Sequence, residues 1–339
     1  MTGALPRVLD MILATTDALD FASEEEEERE PPVASPIQVS EGVNLGPIPE
    51  RIAAAVIEAC RVPHLAPRVL EGLYALYAEG RPGVWDESGS LQEALALSHL
   101  VRPTQLGYEF TAQVVTDDAG NCKVMPAPVR TEMLRRYLVP SQRRRWLTDS
   151  DGRKLAELVR GYRSLRIDSG NRLSNALWYF TASAYLYDPN LRLAILVSIL
   201  EGLVSTSRER VLAQFKTRMV GLAQEFGLGD LVDGKWCERT YAFRSLIAHG
   251  GRLINRREDY GSDAELSTDV HNRLTVLEHL GRVVLGRALV DDPFRGLLLD
   301  TEALDARWPV PPPACPTCQT ELADSIPISC PRCQRKWIP

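Results

Sequence analysis

The sequence predicts a mainly α protein: a helical bundle, with a smaller, mostly helical region before it and a cysteine-rich unit after it. Long segments repeat apolar residues at three- and four-residue spacing, most clearly between residues 171 and 290. After Asp291 the chain becomes rich in proline and then in cysteine. Apolar residues make up 45% of the 339 residues and charged residues 25%, as is usual for a soluble globular protein of two or three domains.

These patterns divide the chain into four parts. They are an acidic N-terminal segment with a disordered linker (1–48), a mostly helical N-terminal domain with a basic C-terminal part (49–170), a helical bundle (171–295) and a cysteine unit (310–339). The linker prediction depends on the unbroken acidic run from Glu24 to Glu28. Such a run repels itself and cannot bury apolar surface, so we expect residues 20–48 to be disordered.

The N-terminal domain reads as helical from residue 48 to about 115. The segments IPERIAAAVIEACRV, LAPRVLEGLYALYAEG and SLQEALALSHL all have helical spacing, and only the alternating GYEFTAQVV predicts a strand. Residues 130–166 are expected to be helical and basic.

Positive charge is concentrated in the second half of this domain. Residues 121–170 carry twelve Lys or Arg and five Asp or Glu, whereas the whole chain has a net charge of -6. Phosphates of RNA or DNA would be attracted here, and Tyr137, Trp146 and Tyr162 could stack on unpaired bases. A solvated helix face explains the same residues equally well.

Five helices are expected in the bundle. The first contains NALWYFTASAYLY, and the turn Asp188-Pro189-Asn190 starts the second, LRLAILVSILEGLV. The second helix is apolar on nearly every side, which places it at the centre of the bundle. RERVLAQFKTRMVGLAQEF, ERTYAFRSLIAH and a segment from about 268 to 289 form the others, and Gly250-Gly251 ends the fourth.

The C-terminal unit has the spacing of a zinc ribbon. Its two C-x-x-C pairs are eleven residues apart, and the four thiolates are Cys315, Cys318, Cys330 and Cys333. Four cysteines leave no open position for water, so we expect a structural Zn²⁺. Two disulfides or a redox pair would need an oxidising compartment or a thioredoxin-like context, and the sequence shows neither.

The remaining cysteines are scattered singly, which suits a reducing cytoplasm. No stretch has the roughly 20 apolar residues that cross a bilayer, and the first residues do not form a secretion signal. We therefore expect a cytoplasmic protein without a membrane partner.

Arg244 and His249 are the side chains in the bundle best suited to chemistry. Arginine offers a charged fork for phosphate oxygens, and histidine can transfer protons near neutral pH. The negative end of the helix dipole would favour the protonated imidazole. Five positions at about 100° each place the two side chains roughly 140° apart, so they share a face only if the helix loosens near Gly250.

The segment RSLIAHGG resembles the R-x4-H signature of HEPN domains, and in particular of the Apea-like HEPN branch. LAILVSILEGLV followed by FKTRMVGL is similar to the helices that precede this motif. SLQEALALSHLVRPTQLGYEFTAQV is similar to the upstream region of such proteins. The resemblance covers residues 90–290 and is most specific between 190 and 255.

The resemblance implies metal-independent RNA cleavage in a cleft between two HEPN domains. The ribose 2′-hydroxyl attacks the neighbouring phosphate, with His249 handling protons and Arg244 stabilising the phosphorane charge. Many active members have Asn, Asp or His after the arginine, where this chain has Ser245. Glu201, the one charged residue inside LAILVSILEGLV, needs a partner such as Arg218 or Arg244, either structurally or to orient Arg244.

The sequence thus favours a homodimeric HEPN ribonuclease that pairs through its helical bundle and cleaves single-stranded RNA. By resemblance, its setting is prokaryotic, anti-phage or toxin-like defence. The alternative is a non-catalytic HEPN module that binds nucleic acid, nucleotide or protein. In that case Arg244 is a surface ion-pair residue and His249 caps a helix end.

Overall fold

The computed structural model describes residues 7–15, 35–60, 73–80, 89–102, 110–117, 119–126, 147–165, 171–184, 186, 188–251, 253 and 264–312. Within these residues the chain is mainly α-helical and also contains one six-stranded sheet. The strands are β1 (Arg7–Thr15), β2 (Ile37–Ser40), β3 (Val43–Pro47), β4 (Leu73–Glu79), β5 (Phe110–Thr116) and β6 (Cys122–Pro126).

Ten helices accompany these strands in the described part of the chain. They are α1 (Glu50–Cys60), α2 (Ser90–Val101), α3 (Asp149–Ser164), α4 (Arg172–Ala184), α5 (Pro189–Val204), α6 (Val211–Glu225), α7 (Gly234–Ala248), α8 (Ala264–Val290), α9 (Asp292–Leu299) and α10 (Thr301–Arg307). The predicted helices of the bundle are confirmed as α4 to α8.

The sheet is antiparallel, in the order β2-β3-β4-β1-β5-β6. The first strand of the chain, β1, lies inside it. Leu9 to Thr15 pair with β4, and Arg7 to Leu13 pair with β5. The sheet therefore forms only when the N-terminal segment meets strands far along the chain.

The predicted linker is wrong at residues 37–47, which form the β2–β3 hairpin. Val39, Val43 and Leu45 are buried, so the hairpin contributes to the core. Ser40 pairs with Val43 across the two-residue turn Glu41-Gly42, and Gly42 has a φ of 75°. A left-handed conformation of this kind favours glycine at a tight hairpin turn.

The N-terminal region also contains strands that the sequence did not predict. Leu73–Glu79, taken for part of a helix, is β4, between β3 and β1. Ala75 and Leu76 are consecutive and both fully buried, so β4 is covered on both faces. Helices α1 and α2 and strand β5 do lie where the sequence predicts them. This region is a sheet with helices packed on it.

Helix α5 is the centre of the bundle, in contact with α4, α6, α7 and α8. Asp188 caps its N-terminus by accepting hydrogen bonds from the backbone N–H groups of Asn190 and Leu191, and Pro189 occupies the first turn. One side of the helix remains exposed, at Leu191, Ser198 and Gly202. This exposed stripe departs from the expected all-round burial.

Two short helices, α9 and α10, follow the bundle where a proline-rich tail was expected. Arg218, almost fully buried on α6, forms an ion pair with Asp305 of α10 and donates to the carbonyl of Val204. Trp308 packs against the core. These contacts hold α10 and Trp308 against the bundle.

One apolar core joins the sheet to the bundle. Its buried residues run from Val39 on β2 to Leu304 on α10, without a break near residue 170. Helix α8 contacts both α2 and α3, and Arg282 of α8 donates to the carbonyl of His99 on α2. The region before residue 170 and the bundle therefore pack as a single body.

Candidate functional site

Helix α7 carries both residues of the R-x4-H segment, and its ends are fixed by local hydrogen bonds. Asp233 caps the N-terminus by accepting from the backbone N–H of Trp236. At the C-terminus, Gly250 has a φ of 85° and donates to the carbonyl of Ile247, while Gly251 donates to Leu246. This pair of bonds is a Schellman motif, so the predicted stop at the two glycines is confirmed.

Arg244 is held by side chains of α5 and α7. One of its terminal nitrogens lies 3.8 Å from the carboxylate of Glu201, and its Nε donates to the hydroxyl of Ser198 at 3.3 Å. The guanidinium carbon lies 5.6 Å from the centre of the Tyr241 ring. The side chain keeps 29% of its surface exposed, so part of the fork is open to a ligand.

The sequence predicted Arg218 or Arg244 as the partner of Glu201, and the structure shows that it is Arg244. Arg218, the other candidate, is occupied by Asp305 and by the carbonyl of Val204. The Oε2 atom of Glu201 is buried and has no hydrogen-bond partner in the described part of the chain. A buried carboxylate oxygen without a donor attracts the nearest cation, which here is Arg244.

Tyr241 completes this group, and sequence reasoning missed it. Burial, followed by the negative charge of Glu201 and a hydrogen bond to its carboxylate, raises the pKa of Tyr241. The phenol therefore stays protonated and donates to Glu201 at neutral pH. Tyr241 and Arg244 are three residues apart on α7, as are Ser198 and Glu201 on α5, and this shared spacing was the available signal.

His249 lies apart from this group. It is the residue that follows the last helical position of α7, it is exposed, and its backbone N–H donates to Ser245 at 3.1 Å. The helix therefore stays regular up to His249, and the loosening that would align it with Arg244 is not seen. Among the described residues, the side chains of Ser245 and His249 form no hydrogen bond.

Several predicted site residues lie outside the described ranges. These are Cys315, Cys318, Cys330 and Cys333, together with Tyr137 and Trp146 of the basic region. Tyr162, the third aromatic residue of that region, packs against the core and is half-buried, so it is not a free stacking platform. Within the described ranges, no group of three His, Cys, Asp or Glu side chains could hold a metal ion.

In comparisons with known proteins, no protein-family model, curated protein or solved structure matches the chain. In the part of the chain that the structure describes, no helix is both long and apolar enough to cross a bilayer. The side chains of α5 and α7 are therefore the features that bear on function.

Proposed function

We propose that this protein is a HEPN-type endoribonuclease that cleaves single-stranded RNA in the cytoplasm without a catalytic metal. The observation that carries the proposal is the arrangement on α7. An arginine is fixed there by Glu201 and Tyr241, with part of its fork open, and an exposed histidine stands at the end of the same helix. Phosphoryl chemistry on RNA needs both a fixed positive charge and a proton carrier.

The proposed reaction needs only proton transfers and charge stabilisation. The ribose 2′-oxygen forms a bond to the neighbouring phosphorus and loses its proton to the imidazole of one His249. The bond from phosphorus to the 5′-oxygen breaks, and that oxygen gains a proton from His249 of the second copy. Arg244 stabilises the phosphorane charge. The products are a 2′,3′-cyclic phosphate and a 5′-hydroxyl.

Two copies of the chain fit this scheme better than one. Arg244 and His249 do not share a face of α7, so a cleft between two copies would bring the histidine of each to one phosphate. Large apolar side chains are exposed on the helices around the site. Trp178 and Tyr179 of α4, Leu191 of α5 and Leu246 of α7 have 47–67% of their surface accessible. A homodimer would bury such side chains.

The cleavage test uses single-stranded RNA in excess chelator, with wild type, Arg244→Ala and His249→Ala. We expect wild type to cleave and each variant to lose at least about 100-fold in rate. Because a chelator can also unfold a zinc ribbon, a chain that ends near Pro309 is assayed in parallel. Retention of full activity in either variant would contradict the assignment, and a strict monomer that cleaves would exclude the two-copy cleft.

One observation favours a second candidate function, a HEPN module that binds RNA, a nucleotide or another protein but does not cleave. Ser245 occupies the position after the arginine, and its side chain forms no hydrogen bond with the described residues. RNA binding without cyclic-phosphate products in the same assay would establish a binding module. Neither binding nor cleavage would indicate a protein-interaction role. A setting in prokaryotic defence belongs to the ribonuclease proposal.

A structural zinc ion is proposed for the C-terminal cysteines. Cys315, Cys318, Cys330 and Cys333 supply four thiolates, the ligand set of closed zinc ribbons. We expect one zinc per chain by elemental analysis, and loss of that zinc in Cys318→Ser. Cys122→Ser, which changes a cysteine of β6, should retain it.

A further inference from the structure

A cavity of about 690 Å³ opens between the β2 strand at the edge of the sheet and helix α3. Its lining residues are Ile37, Gln38, Ser150, Arg153, Lys154, Ala156, Glu157 and Arg160. We call this cavity the α3 groove. Three cations and one anion face it, with two neutral hydrogen-bonding side chains and the apolar side chains of Ile37 and Ala156. The excess of positive charge in this lining suits an anion.

The three cations of the α3 groove have no carboxylate partner among the described residues. Arg153, Lys154 and Arg160 are exposed, and none forms an ion pair with a described residue, although Glu157 lies among them. By contrast, ion pairs to Asp or Glu are formed by Arg163, Lys216, Arg239, Arg287, Arg295 and Arg307. The α3 groove therefore concentrates uncompensated positive charge.

The helix that carries these cations is firmly placed. Thr148 and Asp151 form a capping box at its N-terminus, and Arg102 of the preceding helical segment binds Asp151 at 2.7 Å. Leu155, Leu158 and Val159 bury the opposite side of α3 in the core. The cations thus extend from a rigid support, which lowers the entropic cost of binding a ligand.

We propose that the α3 groove binds the phosphate backbone of single-stranded RNA, and so holds the substrate at a distance from the reacting group. Arginine forks and a lysine match phosphate oxygens, and Gln38 and Ser150 can donate further hydrogen bonds. The choice of RNA over an acidic peptide rests on the proposed function.

Direct binding tests the groove without relying on cleavage. A fluorescent oligouridylate of about 20 nucleotides, longer than the 4–16 nucleotides of a typical single-strand site, is titrated at several salt concentrations. All chains carry His249→Ala, so the probe is not consumed. The groove triple is Arg153→Gln, Lys154→Gln and Arg160→Gln. The control triple is Lys123→Gln, Arg208→Gln and Lys235→Gln, three exposed cations that also have no ion pair among the described residues.

We expect the groove triple to weaken RNA binding at least about tenfold. The slope of log K against log salt concentration should become shallower by about 2, since each of the three lost phosphate contacts on a single strand contributes about 0.7. The control triple, with the same change in net charge, should do neither. Circular dichroism and thermal melting confirm that both triples fold. Equal losses in the two triples, or none in the groove triple, would overturn the proposal.

The same data separate this proposal from the ribonuclease proposal. If the wild-type chain cleaves RNA but the groove triple binds RNA normally, the groove proposal is wrong and the ribonuclease proposal stands. If binding depends on the groove but the wild-type chain does not cleave, the groove proposal stands and the ribonuclease proposal is wrong. If a poly-glutamate peptide binds through the three cations and the RNA does not bind, the groove is a site for an acidic protein segment, and the RNA proposal is wrong.

Discussion

The hydroxyl of Tyr241 is the donor that holds Glu201, and Glu201 in turn holds Arg244. Replacing Tyr241 by Phe keeps the ring 5.6 Å from the guanidinium carbon but removes this donor. A hydrogen bond to a charged group contributes about 1.5–3 kcal/mol, so we expect Tyr241→Phe to lower the RNA cleavage rate by about tenfold or more. The effect should appear in kcat rather than in KM, because Tyr241 positions Arg244 and does not itself bind RNA.

Tyr77→Phe is the matched control for Tyr241→Phe. Tyr77 is half-buried on β4, where burial also raises the pKa of its phenol, and the structure shows no hydrogen bond of its hydroxyl to the described residues. Its variant should cleave at the wild-type rate. Equal rates for Tyr241→Phe and wild type would show that Glu201 holds Arg244 without help from the phenol.

The buried thiol of Cys237 should make the free energy of unfolding depend on pH. Burial, followed by the negative charge of Asp233, raises the pKa of its thiol from 9.0 to about 12. Between these values the unfolded chain loses the proton and the folded chain keeps it, so rising pH favours the unfolded state. Above pH 9 this one group should lower the free energy of unfolding by about 1.4 kcal/mol per pH unit.

Urea unfolding of wild type and Cys237→Ala at several pH values measures this dependence. Below pH 9 the variant is less stable than wild type because it leaves a cavity, and above pH 9 its stability should fall less steeply. Cys122→Ala, which changes a half-buried cysteine of β6, should keep the wild-type slope. Identical slopes for wild type and Cys237→Ala would contradict the prediction.

At the scale of residues, the sequence predicted the pair of Glu201 and Arg244 but not the larger group that includes Tyr241. Glu201 is the only carboxylate in an otherwise largely apolar helix, so its need for a cation could be foreseen, and Arg244 is that cation. Tyr241 has only a weaker signal, its three-residue spacing from Arg244, because a tyrosine in a helix is usually explained by packing. Its role depends on how α5 and α7 face each other, and one helix alone does not determine that.

At the scale of elements, the sequence predicted helices well and central strands badly. The strand β4, LYALYAE, is buried on both faces and lacks alternation, so its pattern cannot be told from that of a buried helix. Strand β5 alternates and was predicted. The β2–β3 hairpin did have a signal, Gly42 between two short apolar segments, but the acidic run before it dominated the interpretation.

Replacement by alanine should have opposite effects on the free energy of unfolding at Gly202 and at Gly250. Gly250 has a φ of 85° after α7, so Gly250→Ala should lower the free energy of unfolding by about 1–2 kcal/mol. Gly202 is exposed within α5, and a methyl group there would contact nothing within 4 Å. Gly202→Ala should therefore raise the free energy of unfolding by up to about 1 kcal/mol. Thermal melting compares the two, and a shift of the same sign in both would contradict the assignment of the α7 cap.

At the scale of the whole molecule, the sequence predicted separate parts, and the structure shows one core. Periodicity identifies elements one at a time, whereas the contacts of α8 with α2 and α3 connect residues far apart in the chain. Helices α9 and α10 were missed although Asp291 and Asp300 cap them, because the prolines that follow suggested a linker. The extent of the packed core is therefore set by long-range contacts and cannot be read from the local sequence pattern.

A buried ion pair inside this core should couple its parts. Arg192 of α5 and Glu278 of α8 pair with 2% and 3% of their side-chain surface exposed. Removing one buried partner leaves an uncompensated charge, so Glu278→Ala should lower the free energy of unfolding by about 3–5 kcal/mol. The double replacement Arg192→Met with Glu278→Leu removes both charges and should recover most of that loss. Glu238→Ala, which breaks the exposed pair with Lys216, should cost less than about 1 kcal/mol.

Because the core is continuous, the loss in Glu278→Ala should appear in the sheet as well as in the bundle. Hydrogen exchange followed by mass spectrometry reports the two separately, through peptides from β5 and β6 and from α5 and α8. If the molecule unfolds as one unit, protection falls equally in both sets, since every opening is the same global event. A loss confined to α5 and α8 would mean that the sheet keeps its stability alone. The residues that join α8 to α2 would then be a contact between two folding units rather than part of one core.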